Sequence, residues 1–171
     1  LSPMVEALLA GNTVVLKPSE HTPLTTELLK KVWDDSTQEP QHFQVVYGAG
    51  EIGNKLVTSS HTDVICFTGS TSVGRKIAEA CAPLFKPVIL ELGGKYPMII
   101  LDDADIDRSV EAAVWGGFSN AGQTCISVER IYVQETIYPQ IVESLSDKIR
   151  KMSSGPGSNP LGAISMDMSM K

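Results

Sequence analysis

The 171-residue chain is short of anything that would cross-link it. Its three cysteines, Cys66, Cys81 and Cys125, cannot all pair, and their spacing fits no zinc or cluster motif. Free thiols suit a reducing compartment, so the expected location is cytoplasmic. No apolar run approaches the ~20 residues of a membrane-spanning helix. The opening stretch LSPMVEALLAGN has no basic start and carries Glu6, unlike a secretory leader. Positive charge is also scarce. Fourteen Lys and Arg against twenty Asp and Glu leave a net charge of −6, which excludes a dedicated nucleic-acid or anionic-membrane surface. No segment repeats another.

What is there is an alternation of helical and strand-like stretches, the pattern of α/β layering. Ser2 and Pro3 open a helix that Gly11 stops, and Thr22 and Pro23 repeat the cap-then-proline signal before LTTELLKKVW. NTVVL reads as a short apolar strand, FQVVY as a buried one, and TDVICFTG, KPVILEL, YPMIIL and ERIYVQ as further strands. Between them fall a polar connection over 34–41, a helix near Asn54 to Val57, and VGRKIAEACAPL, which Ser70 can cap. Further helices are expected from about Asp105 to Asn120 and from Thr136 through IRKM. From Ser153 onward the composition turns to Gly, Ser, Pro and Met without period, the signature of a loop.

Several segments carry residue types that do chemistry. GAGEIG (48–53), after a strand and before a helix, formally matches a dinucleotide fingerprint. The acidic residue expected some twenty positions on is missing, so a plain tight turn competes with that reading. In FTGS (67–70) a strand ends at Gly69 and Ser70 opens a helix, an arrangement suited either to a pyrophosphate or to simple helix capping. KPSE (17–20) follows a strand at its carboxyl end, where open α/β sheets bind ligands. There Lys17 could donate to a ribose or phosphate and Glu20 accept from a ribose, or both could be ordinary solvated charges. Glu91 ends the apolar run PVILE beside two glycines. If buried there, its carboxyl must be ion-paired, protonated or functional. Cys66, inside a strand, and Cys81, on an apolar helix face, are expected to be inert core thiols. Cys125 instead closes the loop AGQTC.

Taken in order, GNTVVLKPSEHTP (11–23), FTGSTSVGRKI (67–77), KPVILELGGK (86–95), LDDADID (101–107) and NAGQTCISVERIYV (120–133) resemble the aldehyde dehydrogenase superfamily. The resemblance runs to about Met152, with Glu91 thirty-four residues before Cys125. It implies that Lys17, Ser19 and Glu20 hold the adenosine ribose and that Gly50 belongs to the adenine-side turn. Gly69 and Ser70 would contact the pyrophosphate, Val73 would pack near the adenine, and Leu92 and Gly93 would line the nicotinamide side. It further implies that Cys125 is the nucleophile and Glu91 the general base. A Cys125 thiohemiacetal would lose hydride to the nicotinamide, and Glu91 would activate the water that hydrolyses the resulting thioester. The implied cofactor is NAD, with NADP as the alternative, because a carboxylate at Glu20 would repel a ribose phosphate. No metal is implied.

The fold expected is a doubly wound parallel cofactor-binding sheet over 1–91, followed by the beginning of an α/β catalytic domain over 92–171. The expected function is oxidation of a small-molecule aldehyde to the acid. Two alternatives stand beside it: an acylating dehydrogenase that passes the thioester to coenzyme A, or a nucleotide-binding chain without catalysis. Full-length members of the superfamily are longer and homo-oligomeric. This chain begins after the usual position of their oxyanion-hole asparagine and ends before their oligomerisation strand, so it resembles an internal piece. Tyr96 stands where a small residue is more usual.

Overall fold

The computed structural model describes residues 2–152, and the expected loop from Ser153 lies outside them. Two compact units meet in sequence between Glu91 and Leu92. In the first, α1 (Ser2–Leu9), β1 (Val14–Leu16), α2 (Pro23–Ser36), β2 (Phe43–Val45), α3 (Gly50–Thr58), β3 (Ile65–Gly69), α4 (Thr71–Cys81) and β4 (Val88–Leu92) alternate as the sequence predicts. The second begins with β5 (Tyr96–Ile100), then α5 (Ile106–Phe118), β6 (Val128–Val133) and α6 (Tyr138–Arg150). The fold is α/β with parallel strand pairing. β1 pairs with β2 in the register Val14 to Phe43 and Leu16 to Val45, and β5 pairs with β6 from Tyr96–Val128 to Ile100–Val133, with a bulge at Tyr96/Pro97. β3 pairs with β4, so the described strands bond in twos.

Each unit is organised on a few large side chains. In the first, Phe43 is fully buried and meets the Trp33 ring edge-on at 6.1 Å, which seats α2 on β2. In the second, Ile100, Val110 and Ile141 form the core, flanked by Met98, Ile131, Val133 and Leu145. Each of these buried aliphatic side chains stabilises its unit by roughly 1.5–3 kcal/mol. The same contacts clamp α5 and α6 together.

The ends of elements follow local chemistry, with some departures from expectation. Gly11 (φ 83) stops α1, and Ser70 caps α4 by accepting from the Val73 N–H at 3.4 Å. Asp105 caps α5 by accepting from the Arg108 N–H at 2.9 Å. Thr22 makes no side-chain cap, and Pro23 alone starts α2. The third helix begins at Gly50, four residues before the predicted Asn54, because the glycines that read as a turn continue into the first helical turn. Thr136 falls in a short turn, Glu135–Ile137, and α6 starts only at Tyr138.

Lys86 ties the first unit together over a long span. Its ammonium donates to the Val57 carbonyl at 2.7 Å, the Ser59 carbonyl at 2.8 Å and the Thr62 hydroxyl at 2.8 Å. Both carbonyls lie at the C-terminal end of α3, where a cation is also favoured by the helix dipole. Lys86→Met should therefore destabilise the protein by about 2–3 kcal/mol in urea unfolding, the range for losing bonds to a charged donor. A change below about 0.5 kcal/mol, as at an ordinary surface position, would show that the clamp contributes nothing.

Candidate active site

Parallel pairing of β1 and β2 sets their carboxyl ends side by side, and the first group of predicted residues occupies that edge. Lys17, directly after β1, donates from Nζ to the Pro18 carbonyl and, across to the β2 loop, to the Gly48 carbonyl, both at 2.8 Å. Glu20 Oε2 lies 3.7 Å from the same ammonium. Ser19 Oγ accepts from the His21 N–H at 3.3 Å. The structure thus joins KPSE to the GAGEIG turn. The Glu20 carboxyl is held below the usual carboxylate value, first by its own backbone N–H and then by Lys17 and His21. It is therefore fully anionic at neutral pH.

The glycines of this edge divide by cause. Gly48 has φ 145, and a Cβ there would fall 2.4 Å from Ile52 Cγ1, so the turn itself requires glycine. Gly50 and Gly93 have no such constraint. A Cβ at either would meet nothing within 4 Å, so neither dihedral nor packing within the described chain demands glycine there. Gly69, Ser70 and Val73 gather at the exposed N-terminus of α4, where Ser70 Oγ also lies 3.1 Å from Ser72 Oγ. Both readings of FTGS are compatible with this geometry, since the cap uses only one of the helix's free N–H groups.

Glu91 lies on the exposed side of β4, beside half-buried Leu92 and exposed Gly93. Among the described residues its carboxylate has no ion pair, so the salt-bridge alternative is not realised.

In the second unit, Cys125 is exposed and sits between two anchored turns. On one side, Asn120 (φ 52), Ala121 (φ 57) and Gly122 (φ 74) are all left-handed. Asn tolerates that conformation better than most residues, but Ala121 costs of order 1–3 kcal/mol in it. Three hydrogen bonds hold the turn. Asn120 Nδ2 donates to the Gln123 carbonyl at 3.0 Å, while Gln123 Nε2 and the Gln123 N–H donate to the Asn120 carbonyl at 3.0 and 3.1 Å. On the other side, the Ser127 N–H donates to the Thr124 carbonyl at 3.0 Å. Ser127 is buried, and its Oγ donates to the Gly116 carbonyl of α5 at 3.1 Å. The sequence reading missed Asn120 and Ser127. An Asn two residues before a Gly was the available signal for a left-handed turn.

One expectation is corrected. Cys66 is exposed rather than a core thiol, because side chains alternate along β3 and the half-buried side belongs to Ile65 and Phe67. Cys81 is buried as expected, at 1% exposure. A disulfide-exchange reagent should therefore titrate two thiols quickly in the folded protein and the third only in denaturant. Three fast thiols, or one, would contradict this placement.

Among the described residues no group of three or more His, Cys, Asp or Glu could hold a metal ion, and no helix is long and apolar enough to cross a membrane. Residues 1–169 match the profile of the "Aldehyde dehydrogenase family". The chain is 43% identical over 152 residues to the NADP(+) succinate-semialdehyde dehydrogenase GabD of Escherichia coli (strain K12), covering 88% of this chain and 32% of that one. It is 45% identical over 152 residues to the mitochondrial succinate-semialdehyde dehydrogenase of Arabidopsis thaliana, covering 88% and 29%. The crystal structure of an NAD-dependent aldehyde dehydrogenase from Sinorhizobium meliloti superposes with a TM-score of 0.87 at 39% identity, covering 91% of this chain and 32% of that one. The chain thus spans about a third of the length of the relatives it matches.

Proposed function

The chain belongs to the aldehyde dehydrogenase family, and from that premise we propose that the whole protein oxidises an aldehyde to the carboxylic acid with NAD or NADP. In this reading residues 1–91 contribute to the cofactor-binding domain and residues 92–171 begin the catalytic domain. The observation that carries it is the family match together with a solvent-facing Cys125, held between two hydrogen-bonded turns.

The residues present suit the cofactor. Lys17, Ser19 and Glu20 would hold the adenosine ribose beside Gly50, and Gly69 and Ser70 the pyrophosphate. Val73 would lie near the adenine, and Leu92 and Gly93 along the nicotinamide. Open space at Gly50 and Gly93 supports close approach of a ligand. When bound, NAD(P) supplies the hydride acceptor.

The chain's own residues do the rest. The Cys125 thiolate adds to the aldehyde carbon, forming a C–S bond and an oxyanion that its own backbone N–H could receive. Loss of hydride from that carbon leaves a thioester on Cys125. Glu91 takes a proton from water, the resulting hydroxide adds to the thioester carbonyl, and collapse releases the acid and the Cys125 thiolate. A carboxylate free of ion pairs can act in this way, which favours hydrolysis over transfer to coenzyme A.

Succinate semialdehyde is the first substrate to test, since two relatives carry it in their names. Glu91→Gln in the complete enzyme should leave a burst of NADH close to one per active site while steady turnover falls roughly 10²–10⁴-fold. Loss of the burst along with turnover would remove Glu91 from deacylation. The cofactor assignment has its own check. Glu20 is anionic and exposed, so NAD should bind more tightly than NADP, and Glu20→Gln should narrow the ratio severalfold. A protein that prefers NADP, or whose ratio ignores the change, contradicts the role given to Glu20.

A further inference from the structure

The turn before Cys125 asks for more than a glycine-rich loop needs. A loop required only to be flexible would not hold Asn120 and Ala121, two consecutive non-glycine residues, at φ 52 and 57. Such conformations persist only where the surroundings over-determine them. Here the determinant is the pair formed by residues 120 and 123, which share three hydrogen bonds, one of them donated by the Asn120 side chain. Asn is also among the few residues that tolerate the left-handed region.

On the far side of Cys125, Ser127 fastens the chain to the Gly116 carbonyl. Gly122 cannot relax the turn either. With φ 74 it holds a conformation that side-chain-bearing residues rarely adopt, and a Cβ would press at 3.2 Å on the Gly117 carbonyl oxygen. The thiol therefore has a fixed span on both sides.

We propose that Asn120 is a positioning residue for Cys125, its side-chain bond to the Gln123 carbonyl setting the direction in which the thiol is presented to the aldehyde. The inference rests on Cys125 being the nucleophile, and it concerns the side chain of Asn120, not merely its backbone conformation.

Glycine at position 120 separates the two roles, because it adopts the left-handed conformation without cost but cannot make the bond. In the complete enzyme, Asn120→Gly should lower kcat roughly ten- to hundredfold, as expected for a misaligned reacting atom. The KM for aldehyde and the thermal midpoint should stay near the parent values. The rate at which iodoacetamide alkylates Cys125, followed by peptide mapping, should fall with kcat. Ala121→Gly, which relieves strain and leaves the bond intact, should keep kcat within about twofold of the parent, since ordinary substitutions away from a site are mild.

Wild-type kcat and alkylation in Asn120→Gly would overturn the proposal, as would an equal loss in Ala121→Gly, which would point to loop looseness alone. Cys125→Ala in the same series keeps the two readings apart. Activity that survives it overturns the nucleophile, whereas activity lost there but retained in Asn120→Gly overturns only the positioning role.

Discussion

Parallel pairing is the constraint on which the rest of this structure depends. Two parallel strands cannot be joined by a hairpin, so the chain must leave each carboxyl end, cross through a helix and return. The pairing of β1 with β2 obeys this with α2 between them, and that of β5 with β6 obeys it with α5. Within each pair the carboxyl ends therefore lie side by side, each followed by a loop whose backbone is free of the ladder. Lys17 and the Gly48 carbonyl meet there because of the topology, although thirty-one residues separate them in sequence. The helices of the first unit start at local devices, Pro23 for α2, the Gly48 turn for α3 and Ser70 for α4.

The three cysteines show how far environment outweighs residue type. Cys81 is sealed on the inner face of α4, Cys66 is turned outward by strand alternation, and Cys125 is held outward between two anchored turns. Exposure alone does not separate Cys66 from Cys125. The surroundings do: Cys66 sits in a regular strand, while the backbone before Cys125 is strained and then pinned by side chains. Structure that holds strain against a cost of a few kcal/mol generally has a reason to do so.

Much of this was legible in the sequence, and the failures have physical causes. Strand and helix order followed from apolar period and from Pro, Ser and Gly punctuation, because those signals act within a few residues. The five motifs located the candidate cofactor and catalytic positions. What could not be read was whatever depends on a facing element. Strand alternation does not say which face of β3 is inward, and Cys66 falls on the outward one. The Lys86 clamp joins residues 57–62 to residue 86 and has no local pattern. The left-handed turn at 120–122 hid behind a helical period that simply stops at Phe118.

The account stands or falls on a covalent bond to one sulfur. The most direct measurement is peptide mass spectrometry of the complete Glu91→Gln enzyme, acid-quenched seconds after mixing with NAD and succinate semialdehyde. The account predicts the mass of a succinyl thioester on the peptide containing Cys125, absent when the cofactor is omitted. Steady NADH formation with an unmodified Cys125, or the same adduct on Cys66 instead, would contradict it.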